Sequence, residues 1–203
     1  MEIRWLGRIP FENALKLQEE LAARHTRDVL LLLEHDPVYT IGRTPDQSSL
    51  RDPAALPHPV VRIHRGGQAT YHGPGQLVGY PIFDLVRHGK DLHAYLRNLE
   101  EALIVLLAEY GIAGERREGR TGVWVGGRKI ASIGVGVRKW ITMHGFALNV
   151  GGDLTPFAHI TPCGIAGVEM TSMERESGRA LEVRAVAERT AAGFARRFGG
   201  TFA

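Results

Sequence analysis

Cysteine is almost absent from this sequence of 203 residues, because Cys163 is the only one. A single cysteine excludes an intramolecular disulfide. Aromatic residues are also sparse, at 7%, and they are not interleaved with a basic stripe, which argues against a nucleic-acid-binding module. The N-terminal segment lacks the long apolar run of a signal peptide or a membrane span. Together these absences predict a cytoplasmic protein with neither a membrane nor a nucleic-acid partner.

No charge of one sign is in large excess. The chain has 25 Lys plus Arg against 22 Asp plus Glu, a formal charge of +3 that is spread without a basic block. Such a balance also fits a docking face for an acidic protein, so charge alone does not identify a partner. Metal-ligand spacings such as HExxH or paired CxxC are missing, so we expect no metal. The hydrophobic fraction of 44% fits one domain over residues 1–203.

Apolar periodicity predicts three helices and several strands. Helical spacing is found in FENALKLQEELAARH after Pro10, in DLHAYLRNLEEALIVLLAEYG, and from about Leu181 to Phe198. The segment TGVWVGGRKIASIGVGVRKWITMHGFALNV predicts a three-stranded antiparallel meander with turns at Gly126-Gly127 and Arg138-Lys139. We therefore predict an α+β fold in which helices flank a mainly antiparallel or mixed sheet, with hairpins in place of regular βαβ units.

The surroundings of Cys163 are unusual for a structural cysteine. It lies in HITPCGIAG, between Pro162 and Gly164. Proline and glycine indicate an exposed, sharply turned backbone, whereas structural cysteines usually lie among apolar neighbours in a helix or strand. A turn of this kind suits a nucleophile. A lone intracellular thiol is nevertheless more often structural, so a catalytic role requires partners elsewhere in the chain.

Lys129, in GGRKIASIG, is the first candidate partner. Strand alternation places it on one face with Ala131 and Ile133, an uncommon position for a lysine. Two alternatives remain open: the preceding turn directs it into solvent, or it points inward. An inward ammonium near the thiol would favour the thiolate. Histidine is the other usual activator, so a Cys-His pair stays open too. The candidate histidines are His72, His144 and His159.

The segment RGGQATYHGPGQ is rich in glycine. It lacks the Lys-Ser/Thr ending of a phosphate-binding P-loop and the spacing of a dinucleotide fingerprint, so it does not predict a nucleotide site. Glycines allow the backbone to approach a ligand closely, and Tyr71 and His72 place polar groups nearby. The alternative is a tight β-bulge or turn.

Four blocks carry a family resemblance over roughly residues 30–170. RGGQATYHGPGQLVGYPIFDL, GRKIASIG, HGFALNV and HITPCGI, in this order and spacing, resemble the octanoyl-[acyl-carrier-protein]:protein octanoyltransferases of lipoate biosynthesis. The resemblance implies the fold shared with the biotin and lipoate protein ligases, with an acyl pocket. It implies that Cys163 is the acyl-thioester nucleophile and that Lys129 favours its thiolate. The implied acyl-substrate residues are Arg65, Gly66, Gly67, Gln68, Ala69, Thr70, Tyr71, His72, Ser132, Ile133, Gly134, Gly145, Phe146 and Ala147.

The resemblance also implies a reaction and its partners. Octanoyl is taken from the phosphopantetheine thioester of acyl carrier protein and passed to a lysine ε-amine. The acceptors are lipoyl domains of 2-oxoacid dehydrogenase E2 subunits and the glycine cleavage H protein. No separate cofactor is expected, since the acyl group arrives already activated. The alternatives are an ATP-dependent lipoate or biotin protein ligase of the same fold and, with less support, a non-catalytic nucleic-acid-binding module.

Overall fold

The computed structural model describes residues 1–44, 46–165, 167–199 and 201–202. Within these residues the chain forms two sheets and four α-helices. The strands are β1 (Glu2–Ile9), β2 (Val29–His35), β3 (Val38–Ile41), β4 (Val60–Arg62), β5 (Thr70–His72), β6 (Gln76–Ile82), β7 (Glu115–Arg117), β8 (Arg120–Val125), β9 (Arg128–Arg138), β10 (Ile141–Asn149) and β11 (Thr201–Phe202). The helices are α1 (Phe11–Ala23), α2 (Leu92–Glu109), α3 (Met173–Ser177) and α4 (Val183–Phe198).

The larger sheet has eight strands in the order β11-β1-β2-β6-β10-β9-β8-β7. Strand β1 runs parallel to β2 and β11, and the other neighbours in this sheet are antiparallel. A second sheet has the order β4-β3-β5, in which β3 is parallel to β4 and antiparallel to β5. Mixed sheets flanked by helices confirm the predicted α+β class.

Strand β2 shows why helices cover both faces of the larger sheet. Its run of apolar residues is buried throughout. Leu30 and Leu32 pack into the main core with residues of α2 and α4, whereas Leu31 and Leu33 pack with Ala14 of α1 on the opposite face. Successive side chains of a strand point to opposite faces, so an unbroken apolar run needs cover on both.

The helices begin and end where the local sequence directs. Pro10 precedes α1, and its fixed φ suits a first turn. Asp91 caps α2, because its carboxylate accepts a hydrogen bond from the Ala94 N–H at 3.0 Å. Gly199, with φ +75°, follows α4 and stops it. The three predicted helices are confirmed, with boundaries that differ by a few residues.

One prediction about connectivity is wrong. Adjacent parallel strands β1 and β2 are joined by α1, which makes a βαβ unit where only hairpins were expected. Charged Arg4 and Arg8 interrupt the apolar pattern of β1, and Gly7, with φ +67°, breaks its register against β2. The strand forms because it pairs with β2 and not because its own sequence favours it.

The predicted meander is present as β8, β9 and β10, with an irregularity beside Lys129. Trp124 pairs with Lys129, whereas Val123 pairs with Ala131, so β9 carries one extra residue at this point. Ile130 and Ala131 consequently both pack into the main core. The sequence pattern predicts that Lys129 and Ala131 lie on one face of the strand. The extra residue breaks this alternation between Lys129 and Ala131.

Candidate active site

A cavity of about 400 Å³ lies where β9 and β10 meet the segment of residues 65–72. Lys129 and all the expected acyl-substrate residues except Ala69 and Tyr71 line it. The volume is typical of a small-molecule site. Three separate parts of the sequence therefore meet around one cavity. Lining residues that the sequence analysis had not named are Phe11, Ile63, Tyr80, Leu92, Leu96, Gly119, Arg120, Thr121, Val135 and Ile165.

Ala69 and Tyr71 face away from this cavity. Both belong to a second core cluster, in which the Tyr71 ring lies 5.3 Å from that of Tyr39 and 5.6 Å from that of Phe157. Alternation along β5 explains the difference, since Thr70 and His72 line the cavity while their neighbours point to the other face. Ala69 and Tyr71 therefore pack in the core on the opposite face of this segment from the cavity.

The Lys129 side chain is buried, with only 1% of its surface exposed. Its ammonium Nζ donates a hydrogen bond to the Thr121 carbonyl at 3.1 Å and lies 5.2 Å from the centre of the Trp124 ring. A carbonyl dipole and an aromatic face both stabilise a cation. Of the two alternatives for this lysine, the structure shows the inward one.

Gly122 makes room for the lysine stem. A Cβ at this position would lie 2.8 Å from Lys129 Cε and 2.5 Å from the Ala131 carbonyl oxygen. Its φ of +122° is also one that residues with a side chain rarely adopt. Only glycine at this point in β8 allows the neighbouring strand to bury a lysine.

Arg65 holds its own loop in shape. Its Nη2 donates hydrogen bonds to the carbonyls of Gln68, at 2.9 Å, and Thr40, at 3.1 Å, and its Nη1 donates to that of Gly66 at 2.9 Å. A Cβ on Gly134 would lie 3.0 Å from Arg65 Cδ, so a glycine in β9 lets the loop lie against the strand. The guanidinium thus fixes the polar side of the cavity.

Three buried histidines, His35, His72 and His144, lie at or near the cavity, and the last two line it. The His35 Nδ1–H donates to the Ile9 carbonyl at 3.0 Å, and the Tyr80 hydroxyl donates to His35 Nε2 at 2.7 Å. Burial lowers the pKa of His72 to about 3, with a further contribution from nearby His35. Burial also lowers the pKa of His144 to about 4 and reduces that of His35. All three rings are therefore neutral at pH 7.

The lowered pKa values of these histidines bear on whether a histidine or Lys129 is the base for Cys163. A histidine that is protonated only below about pH 4 is a weak proton acceptor at pH 7, so His72 and His144 are poor partners for a thiol. The His72 ring lies 2.8 Å from Gln76 Oε1 and 3.3 Å from Thr40 Oγ1, so it acts as a neutral hydrogen-bonding group in the cavity wall. His159 is exposed on the turn Thr155–His159 and is not among the residues that line the cavity. Lys129, in contrast, lines the cavity and is buried.

We expect the buried histidines to make folding sensitive to mild acid. Below about pH 6.5, His72 and His144 gain protons in the unfolded chain but not in the folded one, so stability falls as pH decreases from about 6.5 toward 4. The slope is at most about 1.4 kcal/mol per pH unit for each ring. Urea unfolding at several pH values should show it, and His72→Gln should reduce it. His159→Gln is the control and should leave the slope unchanged; an equal slope in all three proteins would contradict the assignment.

The turn that carries Cys163 is anchored on both sides to residues of the cavity. Its backbone forms the 3-10 turn Pro162–Gly164, while the Cys163 side chain lies outside the described part of the structure. A Cβ on Gly164 would lie 2.6 Å from the Gln68 side chain, so the turn packs on the cavity wall. Residues 169–171 then pair with Lys129, whose N–H donates to the Glu169 carbonyl at 2.8 Å. The turn therefore packs on Gln68, and the segment of residues 169–171 further along the chain pairs with Lys129.

Comparison with known proteins identifies the group to which this arrangement belongs. The family described as "Lipoyl protein ligase A/B catalytic domain" matches residues 10–195. The chain belongs to this family.

Several relatives share half or more of the sequence with this chain. The octanoyltransferase of Geobacter metallireducens is 56% identical over 183 residues, which cover 88% of this chain and 84% of the relative. That of Geotalea uraniireducens is 54% identical over 198 residues, covering 96% and 91%. These relatives confirm the resemblance to octanoyltransferases, and the chain is accordingly a transferase enzyme.

Solved structures of lower identity confirm the fold. A bipartite lipoate protein ligase from Thermoplasma acidophilum, studied with its E2 lipoyl domain, superposes with a TM-score of 0.75 at 18% identity, covering all of this chain and 86% of the other. A lipoate-protein ligase A bound with ATP gives 0.74 at 19% identity, covering 100% and 88%. The biotin protein ligase of Aquifex aeolicus gives 0.60 at 13% identity, covering 96% and 71%. The predicted biotin and lipoate ligase fold is confirmed.

Two kinds of feature are missing from the part of the chain that the structure describes. No group of three or more His, Cys, Asp or Glu side chains is placed there to hold a metal ion. Among the helices within the same residues, none has the length and hydropathy needed to cross a membrane.

Proposed function

We propose that this protein moves an octanoyl group from octanoyl-acyl carrier protein to a lysine ε-amine of a lipoyl domain, through a thioester on Cys163. The observation that carries the proposal is the buried ammonium of Lys129, which lines the cavity and pairs through its backbone with the segment following the Cys163 turn. Burying a lysine ammonium costs free energy, and stabilising a neighbouring thiolate is a chemical reason for placing one at this cavity.

In the first step the Cys163 thiolate attacks the carbonyl carbon of the carrier thioester. A new carbon–sulfur bond forms, the bond to the phosphopantetheine sulfur breaks, and the departing thiolate takes a proton from Lys129. One thioester replaces another, so the acyl group stays activated without ATP. The Gly66 and Gly67 backbone lines the cavity and can approach the carbonyl oxygen closely.

In the second step the acceptor amine attacks the Cys163 thioester. Neutral Lys129 accepts the proton that the amine loses, the amide bond forms, and the Cys163 sulfur leaves as a thiolate beside the lysine ammonium. The net reaction converts acyl carrier thioester and amine into carrier thiol and amide. No metal or separate cofactor takes part in this scheme, which we place in the cytoplasm in keeping with the lone cysteine.

The partners follow from the same proposal. We infer that the acceptors are the lipoyl domains of 2-oxoacid dehydrogenase E2 subunits and the glycine cleavage H protein. We take the acyl carrier protein to be acidic. Exposed basic side chains would then attract it, and Arg138 and Lys139 are exposed at the turn between β9 and β10.

Intact-mass analysis tests the covalent route. The purified protein, incubated with octanoyl-acyl carrier protein and without ATP, should gain one octanoyl group on Cys163 and lose it when a lipoyl domain is added. An ATP-dependent ligase of this fold would instead require free octanoate and ATP for amide formation. Transfer that needs ATP, or that proceeds without an adduct on Cys163, would contradict the proposal.

A further inference from the structure

Glu100 is a buried carboxylate on α2 that the proposed chemistry does not use. Its side chain has no exposed surface. Oε1 accepts a hydrogen bond from the Gly122 N–H at 3.0 Å. Oε2 lies 2.7 Å from Arg97 Nη1 and 3.2 Å from Arg116 Nε, and thus makes two ion pairs. Two arginines thus hold the carboxylate from outside while its inner oxygen contacts β8.

The contact between Glu100 and β8 involves the peptide group that also binds Lys129. The Gly122 N–H and the Thr121 carbonyl belong to a single peptide unit between these residues. The N–H donates to Glu100, and the carbonyl accepts from Lys129 Nζ at 3.1 Å. Glu100 and Lys129 therefore lie at opposite ends of one rigid, planar peptide.

This arrangement has two physical consequences. A carboxylate that accepts from the N–H polarises the peptide and makes its carbonyl oxygen a stronger acceptor for the ammonium. It also fixes the rotation of that peptide about its neighbours. Gly122 can adopt backbone conformations that are closed to other residues, so this peptide needs a restraint that a side chain would otherwise supply.

We propose that Glu100 is a positioning residue for Lys129, acting through the peptide between Thr121 and Gly122. The inference rests on the proposed function, because it assumes that Lys129 activates Cys163. Loss of the carboxylate frees the peptide to rotate, and the Lys129 ammonium then loses the carbonyl that holds it in the cavity.

The test compares Glu100→Met, which removes the acceptor, with Glu100→Gln, which keeps a neutral one. The rate of Cys163 alkylation by iodoacetamide measures thiolate reactivity directly. Glu100→Met should slow alkylation and octanoyl transfer about ten- to hundredfold, the effect of losing one hydrogen bond to a charged group, with KM for the octanoyl carrier unchanged. Glu100→Gln should slow them by roughly threefold, since a neutral acceptor is weaker.

Glu101→Met is the matched control, because Glu101 is the adjacent glutamate and pairs with the same Arg116. The alkylation and transfer rates of Glu101→Met should stay at the wild-type values.

A double-mutant cycle separates positioning from a general structural effect. In a Lys129→Met background, neither Glu100 substitution should slow alkylation any further. A loss that persists in that background, an equal loss in Glu101→Met, or wild-type rates in both Glu100 variants would overturn the inference. If Lys129→Met itself alkylates and transfers at the wild-type rate, it is the role of Lys129 in the proposed function that fails, whatever the Glu100 variants show.

Discussion

Cys163→Ala is expected to abolish the octanoyl adduct and to reduce octanoyl transfer by at least about a thousandfold. Removing a covalent nucleophile removes the whole two-step route, and what remains is unassisted attack of the acceptor amine within the cavity. Cys163 is the only cysteine, so no second thiol in the chain can substitute for it. The measurement is transfer to a lipoyl domain, followed by intact mass of both proteins.

Cys163→Ser provides a sharper version of the same experiment. A serine hydroxyl ionises far less readily than a thiol near neutral pH, and an oxygen ester is a poorer donor to an amine than a thioester. The serine variant should therefore transfer at less than about 1% of the wild-type rate, and any ester that forms should persist when the lipoyl domain is added. Full transfer by Cys163→Ser would exclude a mechanism that depends on a Cys163 thioester while leaving the fold and family unaffected.

The sequence predicted those elements whose apolar pattern and end signals lie within their own residues. The helices α1, α2 and α4 carry apolar stripes and end signals within their own residues, and the meander carries its turn glycines. The strands β1 and β5 escaped prediction for a common reason. Each is short or interrupted by charge, and it forms through pairing with a strand distant in the sequence, β2 for the first and β3 for the second.

The cavity was predictable to the extent that its residues are consecutive in blocks. Residues 65–72, with Ser132 to Gly134 and Gly145 to Ala147, came from the resemblance, and most of them line one cavity. The cover provided by Leu92 and Leu96 was not predicted, because their helical spacing suggested only packing on the sheet. Which residues of an apolar stripe border a cavity depends on where the helix lies, and periodicity does not contain that information.

The environment of Lys129 shows the same limit more strongly. Strand alternation left two alternatives for Lys129, one of them an inward side chain. The features that accommodate the inward side chain come from β8: the Thr121 carbonyl, the space left by Gly122 and the ring of Trp124. Glu100 is more distant still and stands beside Glu101 in the sequence with nothing to distinguish them. Only the packing of α2 against β8 shows which of the two glutamates reaches the Gly122 N–H.

Lys129→Met is expected to reduce octanoyl transfer by about a hundred- to ten-thousandfold, the range typical of a lost proton-transfer group. Methionine matches the length of the lysine stem, so the stem can still occupy the space over Gly122 while the charge disappears. Single-turnover acylation of Cys163 from octanoyl-acyl carrier protein, measured by quenched mass spectrometry, should show the loss in the first step.

Thermal stability distinguishes this result from a failure to fold. Replacing a buried charge with an apolar side chain of similar size is often neutral or stabilising, so Lys129→Met should unfold at or above the wild-type temperature although it is inactive. Lys16→Met, on the exposed side of α1, is the matched control and should acylate Cys163 at the wild-type rate. Rapid acylation by Lys129→Met would mean that the buried ammonium serves the packing of β8 and β9 and that the thiolate of Cys163 is stabilised by another group. Loss of both activity and stability in Lys129→Met, with Lys16→Met unaffected, would assign Lys129 a structural role in addition to any chemical one.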